Sequence, residues 1–160
     1  MTLGVLLAFA GRLSLVLLFL PFSALDKVLN FAAATDQASE AVSSRAIARV
    51  LILAGLAVEV LMSAAVLTGI ADRAAAFVLA SYCVITALLW KPFWREPDFQ
   101  LHGPSRGREV FWDFLKNFAV AGGFLGLAWG GPSADGVGRF LHHPLASSHP
   151  YRNAAPESSR

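Results

Sequence analysis

Residues 47–68 read IARVLILAGLAVEVLMSAAVLT, an apolar run with a single acidic residue, Glu59, near its middle. A run of this length is sufficient to cross a bilayer, whose hydrocarbon core needs about 20 helical residues. An ionisable group at that depth costs at least ~2.5 kcal/mol on insertion scales, so it usually faces protein or a water-filled cavity. We therefore interpret this run as a membrane span that contributes Glu59 to a polar site inside a helix bundle.

Composition supports one compact membrane domain. Of the 160 residues, 56% are hydrophobic and only 15% are charged, and the mean hydropathy is +0.56. A soluble domain of this length rarely carries so little charge. The net charge of +2 comes from scattered lysines and arginines. This distribution argues against nucleic-acid binding. Cys83 is the only cysteine, which excludes an intrachain disulfide and a cysteine-based metal site.

Four apolar runs are long enough to be spans. Lipid leaves a short chain only helices, or a barrel of alternating polarity, and these runs do not alternate. The sequence predicts an all-α integral membrane four-helix bundle over residues 1–131. The expected spans lie near residues 3–31, 47–70, 74–90 and 112–129.

The remaining residues, 132–160, are rich in Ser, Gly, Pro and His. We expect this C-terminal tail to be largely disordered from about residue 147. Three histidines lie there, but a mobile tail does not hold ligands in fixed geometry, so no metal site is predicted. These histidines are His142, His143 and His149.

The first apolar run has two interpretations. Pro21 can bend it, and Arg12 interrupts it near the start. The alternative is a cleaved signal peptide, because Phe22-Ser23-Ala24 has the small residues of a cleavage site. No basic residue precedes the early apolar stretch, which favours the uncleaved span.

Basic residues differ in number between the two ends of the predicted bundle. The positive-inside rule then places loops 1 and 3 in the cytoplasm and both termini outside. The end bearing loops 1 and 3 carries Lys27, Arg45, Arg49, Lys91, Arg95, Arg106, Arg108 and Lys116, against Arg12, Arg73, Arg139 and Arg152 at the other end.

Lys27 and Glu59 lie at similar depth in neighbouring antiparallel runs. Lys27 is about two turns from the end of its run and Glu59 nearly three turns from Arg49, at ~1.5 Å per residue. We expect these two side chains to be in contact, with Asp26 competing for the lysine. The contact serves either a proton-linked or anion-binding site, or simply an ion pair that sets helix register.

More polar residues open the fourth run from the same end of the bundle. Asp113, Lys116 and Asn117 are spaced three and four apart, which puts them on one helical face. We include them as candidates for the polar site.

Aromatic residues gather at the same boundary. They form either an interfacial belt or a pocket for a flat ligand such as a quinone. The candidates are Trp90, Phe93, Trp94 and Trp112. Further along the fourth run, Gly122, Gly126 and Gly130 recur every four residues. Such a stripe predicts close packing of another helix, either within the chain or from a partner or second copy.

An ordered set of motifs resembles the DoxX family. The set includes Gly11-Arg12-Leu13, SALDKVLNF at residues 23–31, Glu59 followed by Leu67-Thr68-Gly69 and Arg73, Lys116-Asn117 leading into Ala121-Gly122-Gly123, and GVGRF at residues 136–140. The resemblance implies a four-helix protein of the bacterial inner membrane with a link to quinone-coupled redox chemistry, since relatives include a subunit of a thiosulfate:quinone oxidoreductase. It also implies that Lys27, Glu59 and Asn117 occupy the polar positions of the family.

From these observations we expect an accessory subunit of a quinone-linked redox complex. The sequence has no self-contained catalytic motif and no covalently attached cofactor, so electrons would pass through a redox partner protein or a bound quinone. The alternative is a non-catalytic membrane anchor or scaffold for a partner. A third possibility is a small-solute or proton transporter, which four helices would form only as an oligomer.

Overall fold

The computed structural model describes residues 2–40, 42–130 and 134–152, and these ranges contain seven α-helices and no β-strand. The helices are α1 Leu3–Val16, α2 Ala24–Leu29, α3 Phe31–Ser39, α4 Arg45–Thr68, α5 Asp72–Trp90, α6 Arg106–Trp129 and α7 Ala134–His142. Four helical stretches are long and apolar enough to cross a membrane: Leu3–Leu29, Arg45–Thr68, Asp72–Arg95 and Arg106–Trp129. The predicted all-α class and the four long apolar helices are confirmed.

The first of these stretches bends at Pro21, as the sequence predicted. Residues Leu18–Ser23 form a wide, irregular turn, and Leu20 leaves the helical region with φ −121° and ψ 110°. Proline lacks the amide hydrogen that a regular helix needs at this position, and its ring crowds the preceding turn. After the bend, α2 packs against α4. The bend therefore sets the direction in which α2 presents its polar side chains.

The fourth long helix begins earlier than expected. The sequence placed its start near residue 112, whereas α6 begins at Arg106. Two side chains satisfy its first amide groups: Ser105 Oγ accepts from the Arg108 amide at 3.2 Å, and Asp98 accepts from the amides of Arg106 and Gly107 at 2.8 and 3.0 Å. These caps stabilise an extra polar turn that hydropathy alone does not reveal.

The buried core lies where α5 and α6 pack together, with α4 and the first bent stretch closing around them. Its largest side chains are Phe124, Leu79, Val16, Val66 and Phe19. Cys83 is buried among them as a small apolar side chain.

Two of the three glycines in the α6 stripe do not pack inside the described part of the chain. Cβ atoms added at Gly122 and Gly126 would meet no described atom within 4 Å, whereas one at Gly130, which ends the helix with φ +70°, would lie 3.7 Å from Arg73 Nη2. The expectation of close packing within the chain is therefore wrong for Gly122 and Gly126. Gly123 packs instead, since its Cβ would lie 2.7 Å from Leu15 Cδ2. Packing of the stripe against a partner or second copy stays a prediction.

The C-terminal segment returns to the bundle, contrary to the expected disorder from about residue 147. Ser147 Oγ donates to the Gly69 carbonyl, and the Tyr151 hydroxyl donates to the Leu67 carbonyl. These bonds cap the C-terminal end of α4, whose last carbonyl groups have no helical partner. The disorder prediction is thus wrong for residues 147–152. Residues 153–160 lie outside the described part of the chain.

Candidate functional site

Glu59 is 1% exposed and accepts three hydrogen bonds on one oxygen. Its Oε1 atom accepts from Lys27 Nζ at 2.7 Å, from the Tyr82 hydroxyl at 2.8 Å and from Ser23 Oγ at 3.1 Å. The predicted contact between Lys27 and Glu59 is present, and it brings together α2, α4 and α5. A carboxylate that lies this deep needs such donors, because an unpaired buried charge costs several kcal/mol, on the order of the ion's residual desolvation penalty.

The bend at Pro21 and the spacing of α2 place two of the donors. Ser23 and Lys27 are four residues apart, so both face α4. Lys27 Nζ also donates to Ser23 Oγ at 2.6 Å. Each member of the Ser23–Lys27–Glu59 triangle is therefore hydrogen-bonded to the other two, which restrains the lysine over the carboxylate.

The third donor, Tyr82, was missed by the sequence analysis. Its hydroxyl reaches Glu59 across the position of Gly55, one turn earlier on α4. A Cβ atom at Gly55 would lie 3.0 Å from the Tyr82 hydroxyl oxygen. The available signal was a glycine four residues before the buried glutamate, which leaves room on that face for a side chain from a neighbouring helix.

Two buried polar atoms on the same face of α4 have no partner among the described residues: Glu59 Oε2 and Ser63 Oγ. They belong to residues one helical turn apart. Buried acceptors of this kind are rare, because leaving one unsatisfied costs about 1–3 kcal/mol, more if it is charged. Glu59 thus retains hydrogen-bonding capacity that no described residue uses.

A cavity of about 700 Å³ runs alongside this carboxylate. It extends from the ends of α3 and α5, near Gln37 and Lys91, down to Glu59 and Tyr82. Much of its wall is apolar, with Phe19 packed against Tyr82 near the carboxylate and Trp90 next to Lys91 at the other end. The volume is typical of small-molecule sites, and the few convergent polar groups are the feature that fixes ligand orientation in such sites.

Of the other predicted polar residues, Asp26 and Asn117 line this cavity. Asp26 accepts from Asn30 Nδ2 at 2.7 Å, so the expected competition for Lys27 is wrong. Asn30 lies four residues further along and is the nearer partner. Asn117 donates to the Asp113 carbonyl at 2.9 Å.

Asp113 and Lys116 do not line the cavity and belong to a surface network that meets it through Lys91. Asp113 pairs with Lys91 at 3.1 Å and with Lys116 at 3.2 Å. The helical spacing correctly placed Asp113, Lys116 and Asn117 near one another. It did not separate the residue that faces the cavity from the two that pair at the surface.

The predicted aromatic residues also fall into two groups, one at the cavity and one in a separate cluster. Trp90 lines the cavity. Phe93 lies at the centre of a separate cluster, with ring centroids 5.1 Å from Trp94 and 5.0 Å from Phe111, and Trp112 adjoins Phe111 at 5.5 Å. Trp94 and Trp112 are about half exposed. This arrangement favours the belt interpretation for Phe93, Trp94 and Trp112, and the pocket interpretation for Trp90.

A second buried polar cluster lies at the opposite end of α4 and was not anticipated. Arg12 pairs with Asp72 at 2.6 Å and donates to the Val66 carbonyl at 2.7 Å. Ser148 donates its amide to Asp72 at 2.9 Å and its hydroxyl to the other carboxylate oxygen. All of these partners are protein groups, so this cluster joins the N-terminal helix, the α4–α5 turn and the C-terminal segment.

Comparisons of the chain with protein-family models, with curated proteins and with solved structures find no match. The likeness to the DoxX family therefore stays a resemblance carried by the motifs quoted above.

Proposed function

We propose that this chain is a multi-pass protein of the bacterial inner membrane that binds a quinone in the cavity beside Glu59 and acts as an accessory subunit of a redox complex. One observation carries the proposal: a buried carboxylate, held by Lys27, Ser23 and Tyr82, lies at the deep end of a cavity of about 700 Å³. The resemblance to the DoxX family supplies the choice of quinone over other flat ligands.

The outer surface supports the membrane part of the proposal. Large apolar side chains project outward from the long helices, among them Val50 at 64%, Leu61 at 60% and Leu88 at 48% exposure. Contiguous apolar surface of this kind is unfavourable in water and is accommodated by lipid. Loops 1 and 3 would face the cytoplasm, since they carry the excess of basic residues.

The cavity has the two properties that a quinone headgroup needs. Aromatic walls from Phe19 and Trp90 suit a flat ring. Polar groups at the deep end, Lys27 and Glu59, can meet a ring oxygen. The chain supplies binding and orientation, and electrons pass to or from a partner protein through the bound ring.

Direct binding tests the proposal. The protein is reconstituted in nanodiscs and titrated with a short-chain benzoquinone, followed by quenching of tryptophan fluorescence. We expect saturable binding that weakens at least tenfold, about 1.4 kcal/mol, in the Lys27→Met variant, which lacks the ammonium group that can donate to a ring carbonyl. Lys116→Met is the matched control, because Lys116 is an exposed residue in a surface ion pair. Absence of saturable binding, or equal weakening in both variants, would refute the proposal.

A non-catalytic scaffold is the second candidate, and one observation favours it. Among the described residues, no atom lies within 4 Å of a Cβ added at Gly122 or Gly126, so another helix can approach this face of α6 closely. In that case the contact of Lys27 with Glu59 only sets helix register. Pull-down in mild detergent distinguishes the two: a partner lost on Gly122→Leu, with no quinone binding by the isolated chain, supports the scaffold.

A further inference from the structure

We propose that the Glu59 site binds the hydroxyl-bearing, reduced form of its ligand, a hydroquinone, in preference to the oxidised carbonyl form. This inference rests on the proposed function and adds the redox state of the ligand. It follows from the count of hydrogen-bond donors and acceptors at the deep end of the cavity.

The hydroxyl protons at the site are already used. Ser23 and Tyr82 each have a single hydroxyl hydrogen, and both donate it to Glu59 Oε1. Neither can donate to a ligand carbonyl without giving up its bond to the carboxylate. A purely accepting ligand would therefore compete with Glu59 for the same donors.

The unused capacity is a buried acceptor on the carboxylate that Lys27 binds through Oε1, together with a spare hydrogen on the lysine. Glu59 Oε2 has no partner among the described residues. Lys27 has three ammonium hydrogens and directs them to Glu59 and Ser23 in the two bonds that the structure shows, which leaves one available. A hydroxyl group fits this pair, since it donates to the carboxylate and accepts from the ammonium group at the same time.

A quinone carbonyl fits less well. It can accept from Lys27, but it leaves Glu59 Oε2 unsatisfied and brings a second electron-rich oxygen towards the carboxylate. Burying an acceptor without a donor is the costly outcome, more so for a charged group. The terminal torsion of a glutamate is broad and roughly twofold, so either carboxylate oxygen can turn towards the ligand.

Other charged groups along the cavity do not reverse this preference. Asp26 accepts a hydrogen bond from Asn30, and Lys91 pairs with Asp113 at the end of the cavity away from Glu59. Both charged groups therefore already have protein partners. The charge balance next to the ligand's inner oxygen is therefore set by Lys27 and Glu59.

The test compares both redox forms on the wild-type protein. A short-chain benzoquinone and the hydroquinone made from it by dithionite are titrated anaerobically into the protein in nanodiscs. We expect the hydroquinone to bind about tenfold more tightly, the factor that 1.4 kcal/mol represents. Equal affinity, or tighter binding of the quinone, would overturn this inference and leave the proposed function standing. If neither form binds, the proposed function fails and the inference fails with it.

A variant tests the same reasoning in the opposite direction. Glu59→Gln replaces one acceptor oxygen with an amide donor, so the preference should shift towards the quinone and the affinity ratio should fall to one or below. Glu109→Gln is the matched control, because Glu109 is an exposed residue in the first turn of α6, and it should keep the wild-type ratio. A Glu59→Gln protein that binds with an unchanged ratio would contradict the assignment of Glu59 as the discriminating acceptor. The wild-type comparison stands by itself if this variant fails to fold.

Discussion

Replacing Lys27 with methionine should destabilise the protein by about 3 kcal/mol, at the low end of the range for breaking a buried ion pair. The Lys27 side chain is 18% exposed and that of Glu59 only 1%, so removal of the lysine leaves a buried carboxylate without its ammonium partner. Ser23 and Tyr82 continue to donate to it, but two neutral hydroxyl groups do not replace an ammonium partner.

The reverse change should cost less. In Glu59→Leu the lysine loses its partner, but its partly exposed ammonium group can turn into the adjacent cavity, as long basic side chains commonly do. In the double variant no charge is left buried, and the remaining cost comes from the Ser23 and Tyr82 hydroxyls, at roughly 1 kcal/mol each. Adding Glu59→Leu to Lys27→Met should therefore recover about 1 kcal/mol of the loss.

Reversible unfolding by SDS in mixed micelles, followed by circular dichroism, measures these free energies. Lys116→Met is the control, because this lysine is 73% exposed in a surface pair and its loss should change stability by about 0.5 kcal/mol or less. If Lys27→Met is no more harmful than the control, or if the double variant is less stable than Lys27→Met, the reasoning from a buried, donor-dependent carboxylate is wrong.

Two further predictions concern the C-terminal segment and the packing of α6. Ser148→Ala should lower the thermal midpoint in detergent by several degrees, because Asp72 loses the Ser148 hydroxyl as a donor and Arg12 loses it as an acceptor. An unchanged midpoint and unchanged protease cleavage of the C-terminal segment would contradict this. Gly107→Ala should also destabilise, since its Cβ would lie 2.7 Å from the Phe99 backbone, whereas Gly122→Ala has open space and should stabilise α6 by up to about 1 kcal/mol. Relative to the wild-type protein, the melting temperature should fall in Gly107→Ala and rise in Gly122→Ala. A change in the same direction in both variants would contradict the packing described at these glycines.

Two of the site residues were predictable because depth in a helix follows directly from residue number. Glu59 and Lys27 interrupt apolar runs, and a charged group inside such a run needs a partner at a similar depth in the membrane. Ser23 and Tyr82 carry no such signal. A serine or tyrosine is tolerated on many helix faces, and only the crossing of α5 over Gly55 decides that Tyr82 reaches the carboxylate.

The grouping of the remaining candidates depended on helix rotation. Asp113, Lys116 and Asn117 share a face by spacing, yet only Asn117 lines the cavity. The same limit applies to the glycine stripe. Periodicity shows that Gly122 and Gly126 share a helical face, but it does not show whether that face points towards a neighbouring helix or away from the bundle. Gly123, with no periodic partner, is the residue that packs against Leu15.

The amino-acid sequence alone determined the helical class, the number of long apolar helices and the depth of Glu59, since these follow from composition and from distance along a single helix. The tertiary structure alone decided which hydroxyls bind the carboxylate, that a cavity of about 700 Å³ lies beside it, and that residues 147–152 return to cap α4. Those features join segments far apart in the chain, and their contacts depend on how the helices cross and rotate, which local periodicity does not specify.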